Sequence, residues 1–196
     1  MADEVARALN VPLDVLVVRK VGLPGQPELA IGAIASGDIV VHEPSTAMEF
    51  PQLARDFEGL AKIQRRELKR RERVYRCGLA PLDLKGRTVV LVDDGLATGC
   101  TMLAAVHAAR AAGAAAIVAA APVASPQAAQ LLKSEVDNIV ILETPERLSA
   151  ISEWYARFEQ IGDTEVCRLL ELNRRAREGL PASGDEHRYA GSEMVK

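Results

Sequence analysis

Short apolar runs alternate with helical patterns along most of this sequence, and that alternation limits the folds open to the chain. Five runs have the length of a strand: 13–18, 39–43, 88–94, 116–123 and 138–142. Most of them are nearly continuous Val, Leu, Ile and Ala, which suits strands buried on both faces, as in a parallel sheet. We therefore predict an α/β domain with a mostly parallel sheet flanked by helices.

The segments between these runs are predicted from helical spacing and from capping residues. Helices are expected at 2–9, 51–76, 101–113, from Pro126 to about residue 136, through 152–160 and through 163–179. Segment 20–38 contains four glycines and two prolines, so it is predicted to be a long irregular connection. We expect one domain over residues 1–178 and a disordered polar tail over 179–196.

Composition and charge exclude several classes of protein. No apolar run reaches the roughly 18–20 residues of a membrane span, so we expect no membrane partner. A net charge of −3 gives no general case for binding nucleic acid. The three cysteines are scattered and odd in number, which favours a reducing cytoplasm over a disulfide framework.

The stretch VVLVDDGLATGCT, residues 89–101, carries the clearest chemistry. A predicted strand ends in Asp93 and Asp94, and a Gly/Thr loop then leads into a helix. Free N–H groups at a helix N-terminus favour a phosphate there. Carboxylates beside a phosphate need other partners, and sugar hydroxyls or Mg²⁺ suit their oxygens. The motif therefore predicts a ribose phosphate as ligand.

This motif resembles the phosphoribosyl pyrophosphate (PRPP) signature of type I phosphoribosyltransferases. The resemblance implies that Asp93 and Asp94 contact the ribose hydroxyls, directly or through Mg²⁺. It also implies a loop for the PRPP 5′-phosphate, formed by Ala97, Thr98, Gly99, Cys100 and Thr101. The patterns GLPGQPELAIGAIASGD, PLDLKGRTVVLVDDG and TPE…WY…F extend the similarity over roughly residues 2–170, to a bacterial group of unassigned substrate.

The same resemblance assigns roles outside the motif. Arg19 and Lys20 match a basic pair that faces pyrophosphate, and segment 21–38 matches a flexible loop that covers the reacting site. The implied activity is transfer of the phosphoribosyl group of PRPP to a nitrogenous acceptor, with Mg²⁺ as cofactor and release of pyrophosphate. Family members are commonly dimers, which leaves a homodimer open for this chain.

Two departures from the family pattern stand out. Members that use hypoxanthine or guanine have an acidic residue at the position of Ala97, whereas members that use adenine or orotate have a small one. A central strand and a Gly-rich pyrophosphate loop normally precede the helix that resembles residues 2–10. We hypothesise that the sequence is an N-terminally short version of a longer reading frame; an in-frame stop codon directly before Met1 would contradict this. Without that strand we expect unpaired strand edges or a rearranged sheet.

Other features leave alternatives open. The basic segment 62–73 is either the solvated face of a surface helix, which we favour, or a nucleic-acid contact. Trp154, Tyr155 and Phe158 are either ordinary packing residues, which we favour, or a hood that stacks on the acceptor base. The alternative to an enzyme is a non-catalytic module of the same fold that binds PRPP or a nucleotide and regulates nucleic acid.

Overall fold

The strands form two separate three-stranded sheets in the computed structural model, which describes residues 1–23, 26–42, 48, 51–52, 57–76 and 82–180. The first, here called the hairpin sheet, contains in order β1 (Val18–Leu23), β2 (Gln26–Ala35) and β3 (Ile39–His42). The second, the parallel sheet, contains β4 (Thr88–Val92), β5 (Ala116–Val123) and β6 (Asn138–Glu143). The tail predicted to be disordered lies, from residue 181 onward, outside the described residues.

The helices agree with most of the predicted segments. They are α1 (Ala2–Leu9), α2 (Phe57–Tyr75), α3 (Cys100–Ala111), α4 (Pro126–Lys133) and α5 (Asp163–Arg177). The prediction of a helix through 152–160 is wrong. The structure has a 3-10 helix, Ile151–Trp154, followed by irregular chain. Within the described residues, no helix is long and apolar enough to cross a membrane.

The parallel sheet confirms the predicted α/β class. β4 pairs with β5 and β5 pairs with β6, both in parallel, with α3 and α4 as the connections between them. The connection through α3 places Val89 opposite Ile117 and Leu91 opposite Ala119, on the face that packs in the core. Short apolar strands joined by helices favour this arrangement because parallel neighbours need a crossover connection.

Helix α3 lies at the centre of the core and contacts both sheets. Eight of its twelve residues are buried, and a helix that is apolar on nearly all sides must be covered on nearly all sides. Its core cluster includes Ala33 and Val41 from the hairpin sheet and Ile117 and Ala119 from the parallel sheet. Alanines along α3 allow both sheets to approach closely, and the start of this helix is therefore fixed from both sides.

The opposite face of the parallel sheet is open. Val90, Val140 and Leu142 lie on it and are 36%, 46% and 67% exposed. The sequence interpretation that residues 88–94 form a strand buried on both faces is therefore wrong for β4. Among the described strands, β4 is also an edge strand, since it pairs only with β5.

The segment 20–38 is the largest difference from the sequence predictions. Instead of an irregular connection it forms most of an antiparallel hairpin, with Arg19 opposite Ile34 and Lys20 opposite Ala33. Pro24 and Gly25, between β1 and β2 in the sequence, lie outside the described residues. Residues 13–17, predicted as strand, are irregular, and the chain enters β1 only at Val18. The run 13–18 thus does not join the parallel sheet.

A glycine in the middle of β2 explains part of this difference. A Cβ atom on Gly32 would lie 2.3 Å from the Val41 carbonyl oxygen and 2.8 Å from a ring carbon of Phe57. The aromatic ring at the start of α2 packs directly onto the strand backbone, and only glycine leaves room for it. This glycine marks a close approach in a sheet and is not a loop signal.

Candidate functional site

The two adjacent aspartates lie at the carboxyl end of β4. The backbone N–H of Asp93 donates to the Ala120 carbonyl of β5 at 3.1 Å, so the sheet fixes the position where the strand ends. The Asp93 carboxylate accepts the backbone N–H of Asp94 at 3.0 Å. Asp93 is half-buried and Asp94 is exposed. The carboxyl edge of a parallel sheet, where ligands of α/β proteins usually bind, is thus acidic here.

Burial disfavours the ionised form of both aspartates, and the charge of Asp94 adds to this effect at Asp93. Burial, and then the charge of Asp94, raise the pKa of Asp93 to about 6, while the charge of Lys20 lowers it. Burial also raises the pKa of Asp94, and Lys20 again acts in the opposite direction. A ligand that donates hydrogen bonds or carries a cation would stabilise the ionised carboxylates.

Replacing Asp93 by asparagine should stabilise the free protein at pH 7–8 in buffer without divalent cations. The folded-state pKa lies above the ordinary value of 3.8, so ionised Asp93 lowers the free energy of unfolding above pH 6. The variant should be more stable at neutral pH by on the order of 3 kcal/mol. Urea unfolding from pH 4 to 8 should show this difference shrinking as the pH falls from 6 towards 4. Parallel pH profiles for the two proteins would show that Asp93 carries no such penalty.

The loop that follows the aspartates is attached to the end of β5 by a set of hydrogen bonds. The buried Leu96 donates its N–H to the Val123 carbonyl at 2.9 Å and accepts the Ser125 N–H at 2.8 Å. The Ser125 hydroxyl donates to the Ala97 carbonyl at 2.6 Å and accepts the Ala128 N–H at 3.0 Å. One buried serine therefore begins α4 and also holds the loop.

A second attachment comes from the segment after β6. The Tyr155 hydroxyl donates to the backbone carbonyl of Asp94. Burial and the charges of both aspartates raise the pKa of Tyr155 to about 12, so this hydroxyl stays protonated and remains a donor. A Cβ on Gly95 would lie 2.5 Å from the Ile151 side chain, so glycine allows this segment to lie against the loop.

The loop ends at the N-terminus of α3, where the geometry suits an anion. Gly99 has φ 81°, a left-handed conformation that glycine adopts without strain, and α3 begins at Cys100. The Cys100 N–H donates to the Thr98 hydroxyl oxygen at 3.4 Å. The Thr101 hydroxyl oxygen is buried and has no hydrogen-bond partner within the described residues. Backbone N–H groups at a helix N-terminus and an unpartnered hydroxyl are donors from which a phosphate could accept hydrogen bonds.

The structure separates the two basic residues that the sequence paired. Lys20 is exposed and lies close enough to Asp93 and Asp94 to affect both carboxyl groups. Arg19 points away, because its Nε and Nη2 atoms donate to the Gln64 amide oxygen of α2 at 3.0 and 2.9 Å. Neighbouring residues of a strand point to opposite faces, so β1 presents only Lys20 to the aspartates.

The aromatic residues after β6 also lie in different environments. Tyr155 is buried against Phe158, with ring centroids 5.2 Å apart, and its hydroxyl reaches the aspartate loop, as described above. Through these contacts Tyr155 packs against the segment after β6 and braces the aspartate loop. Trp154 is half-buried in the 3-10 helix. Sequence reasoning identified Ser125 only as a helix cap and missed Ile151, because neither residue carries a local signal of contact with the loop.

A polar cleft opens beside the loop. It has a volume of 490 Å³ and is lined by residues 97–98, 125–127 and 146–149. Its wall includes Ser125, which also fixes the loop, and the charged residues Glu146 and Arg147. The described ranges contain no group of three or more His, Cys, Asp or Glu side chains that could hold a metal ion. A cation at the aspartates would therefore need further oxygens from a ligand or water.

Comparison with known proteins agrees with this site. The sequence profile of the phosphoribosyl transferase domain family matches residues 1–150. The chain belongs to this family. The matched range of the phosphoribosyl transferase domain includes both sheets, the acidic pair and the loop before α3, whereas Tyr155 and α5 lie beyond it.

Individual relatives support the same assignment. Two proteins of Mycobacterium tuberculosis, MT0597 (strain CDC 1551 / Oshkosh) and Rv0571c (strain ATCC 25618 / H37Rv), carry the name "Putative phosphoribosyl transferase". Each is 39% identical over 175 residues, which is 89% of this chain but 40% of the relative, so the chain spans less than half of their length. The crystal structure of TT1426 from Thermus thermophilus is 41% identical, with a TM-score of 0.67, covering 86% of this chain and 79% of that one.

Proposed function

We propose that this phosphoribosyl transferase domain binds PRPP and transfers its phosphoribosyl group to a nitrogenous acceptor. The observation that carries the proposal is the acidic pair at the end of β4, joined by a braced five-residue loop to the N-terminus of α3. In the reaction, a bond forms between the acceptor nitrogen and the ribose C1. The C1–O bond breaks, and its electron pair leaves with pyrophosphate.

Each part of the site has a separate task in this proposal. Asp93 and Asp94 accept hydrogen bonds from the ribose hydroxyls, since carboxylates bind neighbouring hydroxyls well. The loop from Ala97 to Thr101 holds the 5′-phosphate with backbone N–H groups and the free Thr101 hydroxyl. With both ends of the ribose phosphate held, catalysis consists mainly of positioning and of stabilising the charge that develops on the sugar and the leaving group.

Mg²⁺ fits the donor chemistry of this site. Asp93 and Asp94 offer hard oxygen ligands, and burial raises the pKa of both carboxyl groups, so a cation would favour their ionised forms. When bound, the ion would neutralise charge on the phosphates of PRPP and on departing pyrophosphate. Among the described residues, Lys20 is a cation placed to assist, because its charge acts on both aspartates.

An assay of pyrophosphate release tests the enzymatic proposal. The chain would be incubated with PRPP, Mg²⁺ and, one at a time, a panel of purine, pyrimidine and other nitrogenous acceptors. We expect release with at least one acceptor, and Ala97 directs the first choice to acceptors other than hypoxanthine and guanine. PRPP binding without release across the whole panel would reject the enzymatic function for this chain.

The second candidate is a non-catalytic module that binds PRPP or a nucleotide. The orientation of Arg19 favours it, because this side chain is held by Gln64 and only Lys20 of the predicted basic pair faces the acidic pair. A site with a strong grip on ribose phosphate and a weak grip on pyrophosphate would bind the two ends of PRPP unequally. Ribose 5-phosphate should then compete with PRPP at similar concentrations, whereas an enzyme should prefer PRPP strongly.

Removing the serine that braces the loop should weaken ligand binding. Ser125→Ala leaves the Ala97 carbonyl and the Ala128 N–H without their partner, and buried groups of this kind cost about 1–3 kcal/mol. We expect PRPP affinity to fall about tenfold, which corresponds to 1.4 kcal/mol. Ser125→Thr keeps the hydroxyl and should recover most of the loss. Equal affinity of the alanine variant and wild type in calorimetry would remove this role from Ser125.

A further inference from the structure

The long basic helix α2 presents different surfaces on its different sides. Its apolar side is buried, with Phe57, Ala61 and Leu68 packed against the hairpin sheet. The remaining circumference carries most of the positive charge of the segment. The sequence of α2 alone does not show which of its cations are neutralised by neighbouring carboxylates. The structure separates these cations from the ones that remain available to a partner.

Three of the arginines are already neutralised by carboxylates. The pairs have N–O distances of 2.8–3.0 Å: Arg65 with Asp38 and Glu58, Arg70 with Glu67 and Asp163, and Arg71 with Glu67. These contacts tie α2 to the β2–β3 turn and to the start of α5. They account for the basic residues at the two flanks of the helix as parts of the fold.

The other four cations form a continuous row. Lys62, Arg66, Lys69 and Arg73 are all exposed, and none has a carboxylate partner among the described residues. The Arg73 Nε atom donates to the Lys69 backbone carbonyl at 3.2 Å, which leaves its charge without a counterion. Their spacing of 4, 3 and 4 residues places them within an arc of about 60° and over a length of about 16 Å. We call this row the cationic stripe.

We propose that the cationic stripe binds the phosphate backbone of a nucleic acid. Four cationic side chains whose Cβ atoms follow one another at about 5–6 Å along one helix face match a linear polyanion with a regularly repeated charge. No aromatic side chain interrupts the stripe, so binding is by charge and without readout of base sequence. The proposal is independent of the PRPP site and goes beyond the function proposed above.

Two other partners fit the stripe less well. A helix that lies on a membrane buries an apolar face in the lipid, but the apolar face of α2 is already packed against the hairpin sheet. A stable interface with an acidic protein would need exposed apolar residues between the charges. Ile63 is a large apolar residue that is exposed, but it lies next to the stripe and not within it. The phosphate backbone of a nucleic acid, which binds by charge alone, fits the stripe better than either. Its affinity must depend strongly on the salt concentration.

The test is binding of a fluorescein-labelled 20-nucleotide single-stranded RNA to the full chain, measured by anisotropy at several salt concentrations. Four phosphate contacts predict an affinity about 50-fold weaker at 200 mM than at 50 mM salt. The variant Lys62→Gln/Arg66→Gln/Lys69→Gln/Arg73→Gln should lose this binding, and glutamine keeps the helix propensity of the segment. The matched control, Lys85→Gln/Arg87→Gln/Lys133→Gln/Arg157→Gln, also removes four exposed cations and should bind like wild type.

The outcomes separate clearly. Equal binding by the stripe variant and the control would show attraction by general charge and would overturn the proposal. So would the absence of binding at 50 mM salt, or a clear preference for an acidic peptide of equal charge over RNA. PRPP affinity and thermal unfolding of the stripe variant should match wild type, so failure at the stripe is distinguishable from failure of the PRPP site or of folding.

Discussion

Asparagine at both Asp93 and Asp94 should reduce the affinity for PRPP by at least about 100-fold. Hydrogen bonds to a charged group contribute about 1.5–3 kcal/mol each, and 1.4 kcal/mol is a factor of ten in affinity. Losing one such bond at each position therefore gives a loss of this size, and losing a bound cation would add to it. Isothermal titration calorimetry with PRPP and Mg²⁺ measures the effect directly.

The matched control removes two carboxylates elsewhere. Asp38→Asn with Glu58→Gln changes the net charge by the same amount, and both residues are exposed partners of Arg65. This variant should bind PRPP like wild type. Urea unfolding of the double asparagine variant itself distinguishes a loss of binding from a loss of folding. Similar affinities for wild type and the double asparagine variant would show that these carboxylates do not bind PRPP.

Placing alanine at Gly32 should destabilise the protein by about 3 kcal/mol or more, at the upper end of the range for overpacked cores. Its Cβ would overlap the Val41 carbonyl oxygen at 2.3 Å and the Phe57 ring at 2.8 Å. A carbonyl in a paired strand cannot move aside without breaking the hairpin sheet. Urea unfolding should show a lower midpoint with an unchanged slope.

The control for this substitution is Gly162→Ala. An added Cβ there meets no atom within 4 Å, and the residue has an ordinary φ of −76°. It should change the free energy of unfolding by less than about 1 kcal/mol. If Gly32→Ala is as mild as Gly162→Ala, the close packing of α2 on β2 is wrong, and the hairpin sheet would need another explanation.

The features that could be predicted from the sequence are those with a local physical cause. The strand before Asp93, the loop and the start of α3 follow from an apolar run, a glycine and a helix N-terminus within 13 residues, 89–101. Ser125 and Pro126 likewise predict the start of α4 by a capping pattern. The Ser125 hydroxyl accepts the Ala128 N–H as expected. These signals need no knowledge of distant parts of the chain.

The features that could not be predicted depend on contacts between distant segments. Gly32 is a glycine because Phe57, 25 residues later, packs on it, yet glycine in a sequence is most easily interpreted as a turn. The different directions of Arg19 and Lys20 follow only once β1 is known to begin at Val18. The contact of Tyr155 with the Asp94 carbonyl spans 61 residues. In each case tertiary packing decided between two locally reasonable structures.

We propose that the acidic pair and the loop before α3 form a PRPP site. Calorimetric titration of the unmodified chain with PRPP, in the presence of Mg²⁺, tests this proposal most directly. We predict saturable binding of one PRPP per chain, weakened as the pH falls through 6, because protonated Asp93 accepts fewer hydrogen bonds. The absence of saturable binding at pH 7.5, or binding that is indifferent to pH between 7.5 and 5, would contradict the claim.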